Sequence, residues 1–232
     1  MDARDRNNRR ALPRSAAPPM THHIQTETQG AVAILRLARP ARGNALDAGM
    51  ADLFAQFLVS WRADPGIAAC VICAEGADFC TGSDYGDLPQ TLWSHRAAPW
   101  TRLQEALIPF DKPLVLAARG RAAGIGLALI LKAHAVVAEP CLAPAMTPAP
   151  VRPSAQAGAR QQLEFLAQRR RRELEKTIAA KLKSHPARPG TSVTGALALA
   201  HRIAVLPRNE VEREMINLRR GSGPRPEGRA TA

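Results

Sequence analysis

Between residues 29 and 140, short apolar runs alternate with stretches whose apolar positions recur at helical spacing. Residues 31–37 (Ala-Val-Ala-Ile-Leu-Arg-Leu) form a β-rich run bounded by Gly30 and Pro40. Met50, Leu53, Phe54, Phe57, Leu58 and Trp61 then repeat at a period that predicts a helix over 47–61, which Asp64-Pro65-Gly66 ends. Residues 67–73, 113–118 and 135–138 are short continuous apolar runs, the profile of strands buried on both faces. Residues 93–107 and 127–132 read as helices, with a glycine-containing turn over 120–126. Strands alternating with helices predict an α/β domain.

Past residue 140 the pattern changes. Pro140, Pro144, Pro148, Pro150 and Pro153 crowd one segment, a density that predicts neither helix nor sheet ladder. A charged helix is expected over 161–183, carrying Arg169, Arg170, Arg171 and Arg172. A break follows at 184–190, then helices over 196–206 and 211–219. The organisation expected is a disordered extension (1–20), a core (21–165), a helical C-terminal region (166–220) and a disordered tail (221–232).

Composition narrows the class. Hydrophobic residues make up 46% of the chain, which excludes wholesale disorder. The longest clean apolar run, 122–131, stops at Lys132, short of the ~20 residues a spanning helix needs, so no membrane span is expected. The net charge of +12 is uneven: residues 141–232 carry seventeen basic and seven acidic side chains, whereas 21–140 are close to neutral. That tail lacks interleaved aromatics, so a solvated surface is expected and a nucleic-acid partner is not. Four cysteines make no disulfide framework, which points to a reducing cytoplasm. Cys70 and Cys73 sit three apart on a predicted strand and so face opposite sides, against a metal or redox pair. The histidines have no metal spacing, and no metal is expected.

Three motifs carry the functional signal: Arg39-Pro40-Ala41-Arg42-Gly43-Asn44-Ala45-Leu46 ahead of the first helix, Phe79-Cys80-Thr81-Gly82-Ser83-Asp84-Tyr85 after a buried strand, and Lys112-Pro113-Leu114-Val115 leading through Gly120 to Ala123-Gly124-Ile125-Gly126. In this order and spacing they resemble the crotonase superfamily, the enoyl-CoA hydratases and isomerases. The Gly-Ile-Gly form is most similar to an isomerase-like branch. The resemblance implies a crotonase-type spiral of ββα units, acyl-CoA thioesters as substrates in fatty acid metabolism, and no cofactor beyond the coenzyme A of the substrate.

An acyl-CoA thioester reacts through an enolate, so negative charge grows on the thioester oxygen, where two fixed backbone N–H groups can hold it. By resemblance these donors are Ser83 and Ile125. Gly82, Gly124 and Gly126 let the backbone approach, and Arg42, Ala45 and Thr81 cradle the nucleotide end of coenzyme A, with Asp84 bracing the loop. The family's catalytic carboxylates are missing. Ala128 occupies the position of the first, as in the isomerase-like branch, and one register places Gln156 at the second. Glutamine has the shape of glutamate but is no base at neutral pH. An inactive crotonase-like protein, or a frame-damaged product over 141–190, is therefore the alternative reading. A shortened C-terminus weakens the trimer that the resemblance otherwise implies.

Overall fold

All six residues of β3 (Ala69–Ala74) are buried, as a strand covered on both faces requires. It pairs in parallel with β2 (Val32–Leu37) on one side and β4 (Leu114–Ala118) on the other. The computed structural model of the chain describes residues 23–84, 86, 98–145, 173 and 175–219. The expected 1–20 and 221–232 segments lie outside these residues, as do Trp93, Gln156 and Arg169 to Arg172. The main sheet continues with β6 (Ala135–Ala138) beside β4, in an otherwise parallel array that β1 (Ile24–Gln29) edges antiparallel to β2. Regular structure thus starts ahead of Gln29, where the pattern first suggested it, because β1 turns back through Gly30 at φ 59° to pair with β2.

Alternation along these strands makes two cores. Ala33, Leu35, Cys70, Ile72 and Leu116 point to one face, where they meet α1 (Ala48–Ala63), α2 (Ala98–Leu107), α3 (Ile125–Lys132) and α4 (175–184). Ile34, Val71, Cys73 and Val115 point to the other, under α5 (Ser192–Ala204) and α6 (Arg208–Arg219). Cys70 and Cys73 therefore lie on opposite faces, and burial pushes the Cys70 thiol up to about 12, so the CxxC spacing has no ligand chemistry. α1 starts where Asp47 accepts the Met50 N–H at 2.9 Å, and the helix buries Met50, Leu53, Phe54, Leu58 and Trp61. Phe54 alone, fully buried, contributes on the order of 2 kcal/mol of hydrophobic stabilisation. Among the described residues no helix is long and apolar enough to cross a membrane.

Three short strands fall where turns or breaks were expected. β5 (Arg121–Ala123) lies inside the predicted 120–126 turn and pairs with β7 (Ala143–Ala145) inside the proline-rich segment. Pro144 is tolerated because this ladder has only two strands: the Ala143 N–H makes the pairing bond, to Gly120 O at 2.7 Å, and Pro144 lends no donor. β8 (His185–Pro186) lies in the predicted 184–190 break and extends the main sheet beside β6. Two residues of pairing are too short for periodicity to show.

Glu139, at the end of β6, fastens the second layer. Its buried carboxylate accepts the Ser192 hydroxyl at 2.6 Å, with the N–H groups of Gly190 and Ser192 also directed at it. It thus caps the N-terminus of α5, for which Thr191 supplies no side-chain cap. Burial pushes the Glu139 carboxyl up, but the Ser192 and Gly190 donors, helped by Arg119, outweigh it and hold the group below its ordinary value of 4.5. A depressed carboxylate stabilises the fold above its unfolded value and loses that contribution as pH falls through the folded one. Melting temperature should therefore hold between pH 7 and 5 and drop below about 4.5. Glu139→Gln should flatten part of that acid limb in a pH series of thermal melts; an unchanged acid limb would show that other carboxylates set it.

Candidate oxyanion site at three paired loops

The first motif is a folded loop. Pro40–Arg42 make one 3-10 turn, after which Gly43 (φ 57°) and Asn44 (φ 54°) take the left-handed conformation that reverses the chain. The fully buried Asn44 side chain holds this shape. Its Oδ1 accepts the Arg39 N–H at 2.8 Å, and its Nδ2 donates to Glu75 O at 2.8 Å and Asp78 O at 2.7 Å.

Leu46 then lies beside the second motif as a parallel bridge to Ser83. Its N–H donates to Gly82 O at 2.8 Å, and its carbonyl accepts the Asp84 N–H at 2.7 Å. In such a bridge the middle residue turns its own N–H away from the partner, so the Ser83 amide points away from Leu46. On the other side, Cys80 bridges Ala122 in parallel: its N–H reaches Arg121 O at 3.2 Å, and its carbonyl accepts the Ala123 N–H at 2.9 Å. The three motifs, far apart in sequence, thus lie side by side.

The crossing leaves room only for glycine. A Cβ on Gly124 would stand 3.3 Å from Gly82 Cα, and Gly124 has φ 53° and ψ −117°, a conformation closed to side chains. Gly124 is the N-cap of α3, and Ile125 is the first residue of that helix. Among the described residues, neither the Ser83 N–H nor the Ile125 N–H has an acceptor. Two free amide donors therefore flank a close backbone crossing at a helix N-terminus, where the peptide dipoles favour negative charge. Cys80 sits beneath, its sulfur faced by the N–H groups of Gly82 and Gly126. Burial pushes its thiol up to about 11, so it is a neutral packing group at pH 7.

The other expected residues are placed as follows. Thr81 ties the first two motifs together, its N–H donating to Gly43 O at 3.0 Å and its hydroxyl to the same oxygen at 3.1 Å. Arg42 is exposed on that rim, and the Ala45 carbonyl accepts from Arg39 at 2.9 Å. Asp84 is committed to bracing: it accepts the Gly86 N–H at 2.9 Å and pairs with Arg39 at 2.7 Å. The Gly86 N–H and Arg39 hold its carboxyl below the usual carboxylate value, against a smaller push from burial. Ala128 faces the core from α3. Gln156 and Tyr85 lie outside the described residues. Two supports had no sequence signal of their own: Arg39, and Trp100, whose buried Nε1 donates to Leu46 O at 3.2 Å. A separate groove of about 980 Å³ between α1 and α2, walled by Asp52, Val59, Arg102 and Pro109, holds none of these residues.

Comparison with known proteins bears on the family and the fold. The enoyl-CoA hydratase/isomerase family model matches residues 27–141. The chain is 36% identical over 115 residues to the 2,3-dehydroadipyl-CoA hydratase of Escherichia coli K12, covering 47% of this chain and 44% of that one. It is 31% identical over 117 residues to 4-chlorobenzoyl coenzyme A dehalogenase-2 of an Arthrobacter species, covering 47% and 42%. The match thus spans less than half the length of these curated relatives. The solved structure of Pseudomonas aeruginosa OdaA superposes with a TM-score of 0.67 at 25% identity, covering 87% of this chain and 90% of that one. With its parallel-dominated sheet and its three motifs at residues 39–46, 79–85 and 112–126, the chain carries, over residues 27–141, a segment of the enoyl-CoA hydratase/isomerase family.

Proposed function

We propose that the chain binds acyl-CoA thioesters and polarises the thioester carbonyl with the Ser83 and Ile125 N–H groups. The observation that carries this is the close crossing of Gly82 and Gly124, beside which the Ser83 and Ile125 N–H groups have no acceptor among the described residues. Charge that develops on a thioester oxygen there meets donors already in place, and so needs little reorganisation. The names of the two curated relatives support the same common denominator: one is a hydratase and the other a dehalogenase, and both names carry a coenzyme A thioester. Arg42, Ala45 and Thr81 form the rim on which the nucleotide end would lie, with Gly82, Gly124 and Gly126 under the thioester.

A second reading, binding without efficient turnover, is favoured by the state of Asp84. This acid of the motif loop is engaged by Arg39 and the Gly86 N–H, and Ala128 has no proton to move. Loss of a general base costs about 10²–10⁴-fold in rate, which leaves an oxyanion site with weak activity at most. Calorimetric titration with butyryl-CoA, beside free coenzyme A, tests the proposal. Tighter binding of the thioester is expected, and equal or absent binding of both by folded protein removes it. Hydration of crotonyl-CoA separates the readings: a rate near background keeps binding alone, and a rate far above it demands a base.

A further inference from the structure

We infer that Lys181 is a positioning residue for the oxyanion site: it anchors the C-terminal end of α3 and so sets where the Ile125 N–H points. The inference rests on the proposed role of Ile125 and extends it to a part of the chain outside the three motifs.

Lys181 comes from α4 and is buried at 9% exposure. Its ammonium donates to Ile130 O at 3.2 Å, Leu131 O at 2.6 Å and Ala133 O at 2.6 Å. An ammonium has three N–H donors, and here three carbonyls meet it. These oxygens belong to the end of α3, where the last carbonyls of a helix have no partner within it and the dipole is negative. Ile178, buried, and Leu182 pack the same side of α4 into the core, so the ammonium is delivered by a fixed element rather than a loose side chain.

The geometry explains why this matters at the other end. α3 has eight residues, roughly 12 Å of helix, and helices so short do not hold themselves in water. A tilt of roughly 5° about the anchored end moves the N-terminus by about 1 Å. Displacements of about 1 Å at reacting groups can cost on the order of 100-fold. The Ile125 amide is therefore only as well placed as the far end of its helix.

The test uses the full chain with K181M and K181R. The readouts are the carbonyl stretching frequency of bound butyryl-CoA labelled with ¹³C at the thioester, the affinity for free coenzyme A, and amide hydrogen exchange. In wild type the donors shift the carbonyl to lower frequency. K181M should lose most of that shift, keep its affinity for coenzyme A within about threefold, and exchange its α3 amides about tenfold faster while β2 and β3 stay protected. K181R, which keeps charge and donors, should recover part of both signals. K181M with wild-type carbonyl shift and wild-type α3 exchange overturns the inference, and so does loss of protection spread evenly over the sheet. Should K181M fail to fold, K181Q is read on the same scales. A wild-type protein that shows no carbonyl shift removes the oxyanion reading instead; α3 exchange in K181M then decides the anchoring by itself.

Discussion

Gly126→Ala is expected to weaken butyryl-CoA binding about tenfold or more and to destabilise the protein by about 2–3 kcal/mol. The sign is not what helix propensity predicts. Alanine in a helix is favoured over glycine by about 1 kcal/mol. At Gly126, however, a Cβ would stand 2.3 Å from the Cys80 carbonyl oxygen and 2.9 Å from Cys80 Cβ. Cys80 cannot yield, because its backbone is pinned to Arg121 and Ala123 by the bridge to Ala122. The N-terminus of α3 must then move off the second motif, and the Ile125 donor moves with it. The loss corresponds to about 5–10 °C in melting temperature for a chain of this size. Gly49→Ala in α1 is the control: its Cβ would make ordinary contact with Asp47 Oδ1 at 3.5 Å, so propensity wins there and stability rises slightly. Thermal melts of both variants, with calorimetry on Gly126→Ala, check the contrast. Equal melting temperatures for Gly126→Ala and wild type would mean the crossing at Cys80 is looser than described.

The parts of this molecule that were legible in the sequence are those in which one residue's chemistry decides its neighbourhood. Met50, Leu53, Phe54, Leu58 and Trp61 had to share a helix face, and they do. Asp64, Pro65 and Gly66 had to stop that helix, and its C-cap is Asp64. The strands β2, β3, β4 and β6 announced themselves as apolar runs because both of their faces are covered. Pairing decided the rest. β5, β7 and β8 are three, three and two residues long and exist through partners distant in sequence, so neither period nor propensity marks them. Pro144 pointed the wrong way, since its missing donor excludes a central strand and not the edge of a two-stranded one.

At the site the same division holds. Gly82 and Gly124 were readable as close approaches of backbone, and the structure crosses them. The supports were not readable. Trp100 reaches Leu46 O across 54 positions, and Lys181 reaches Ala133 O across 48. Arg39 lies within the first motif, yet its ion pair with Asp84 needs the two loops to be adjacent before it has meaning. Sequence spacing marks the loops that cross, whereas the groups that hold them in place come from wherever the fold brings a donor. The C-terminal region, outside the segment that the family model matches, thus reaches the end of α3 through one lysine.

Asn44→Ala should cost about 3–5 kcal/mol, the largest loss of stability expected from a single polar side chain here. Two effects add. The first is hydrogen bonding: Asn44 is fully buried, and its removal strands the Arg39 N–H and the carbonyls of Glu75 and Asp78, each at about 1 kcal/mol or more. The second is backbone strain. Asn44 is the one non-glycine among the described residues with positive φ, and alanine pays about 1 kcal/mol to stay at 54° where asparagine is tolerated. Asn44→Gly separates the two, since it relieves the strain and still deletes the bonds; it should recover only about 1 kcal/mol of the loss. Asn44→Asp is expected to be as damaging as alanine, because a carboxylate can accept from Arg39 but turns its second oxygen on two carbonyls that need donors. Denaturant unfolding of the three variants gives the ranking. If glycine restored most of the stability, strain and not hydrogen bonding would be what Asn44 answers, and the link it makes between the first and second motifs would be incidental to the site.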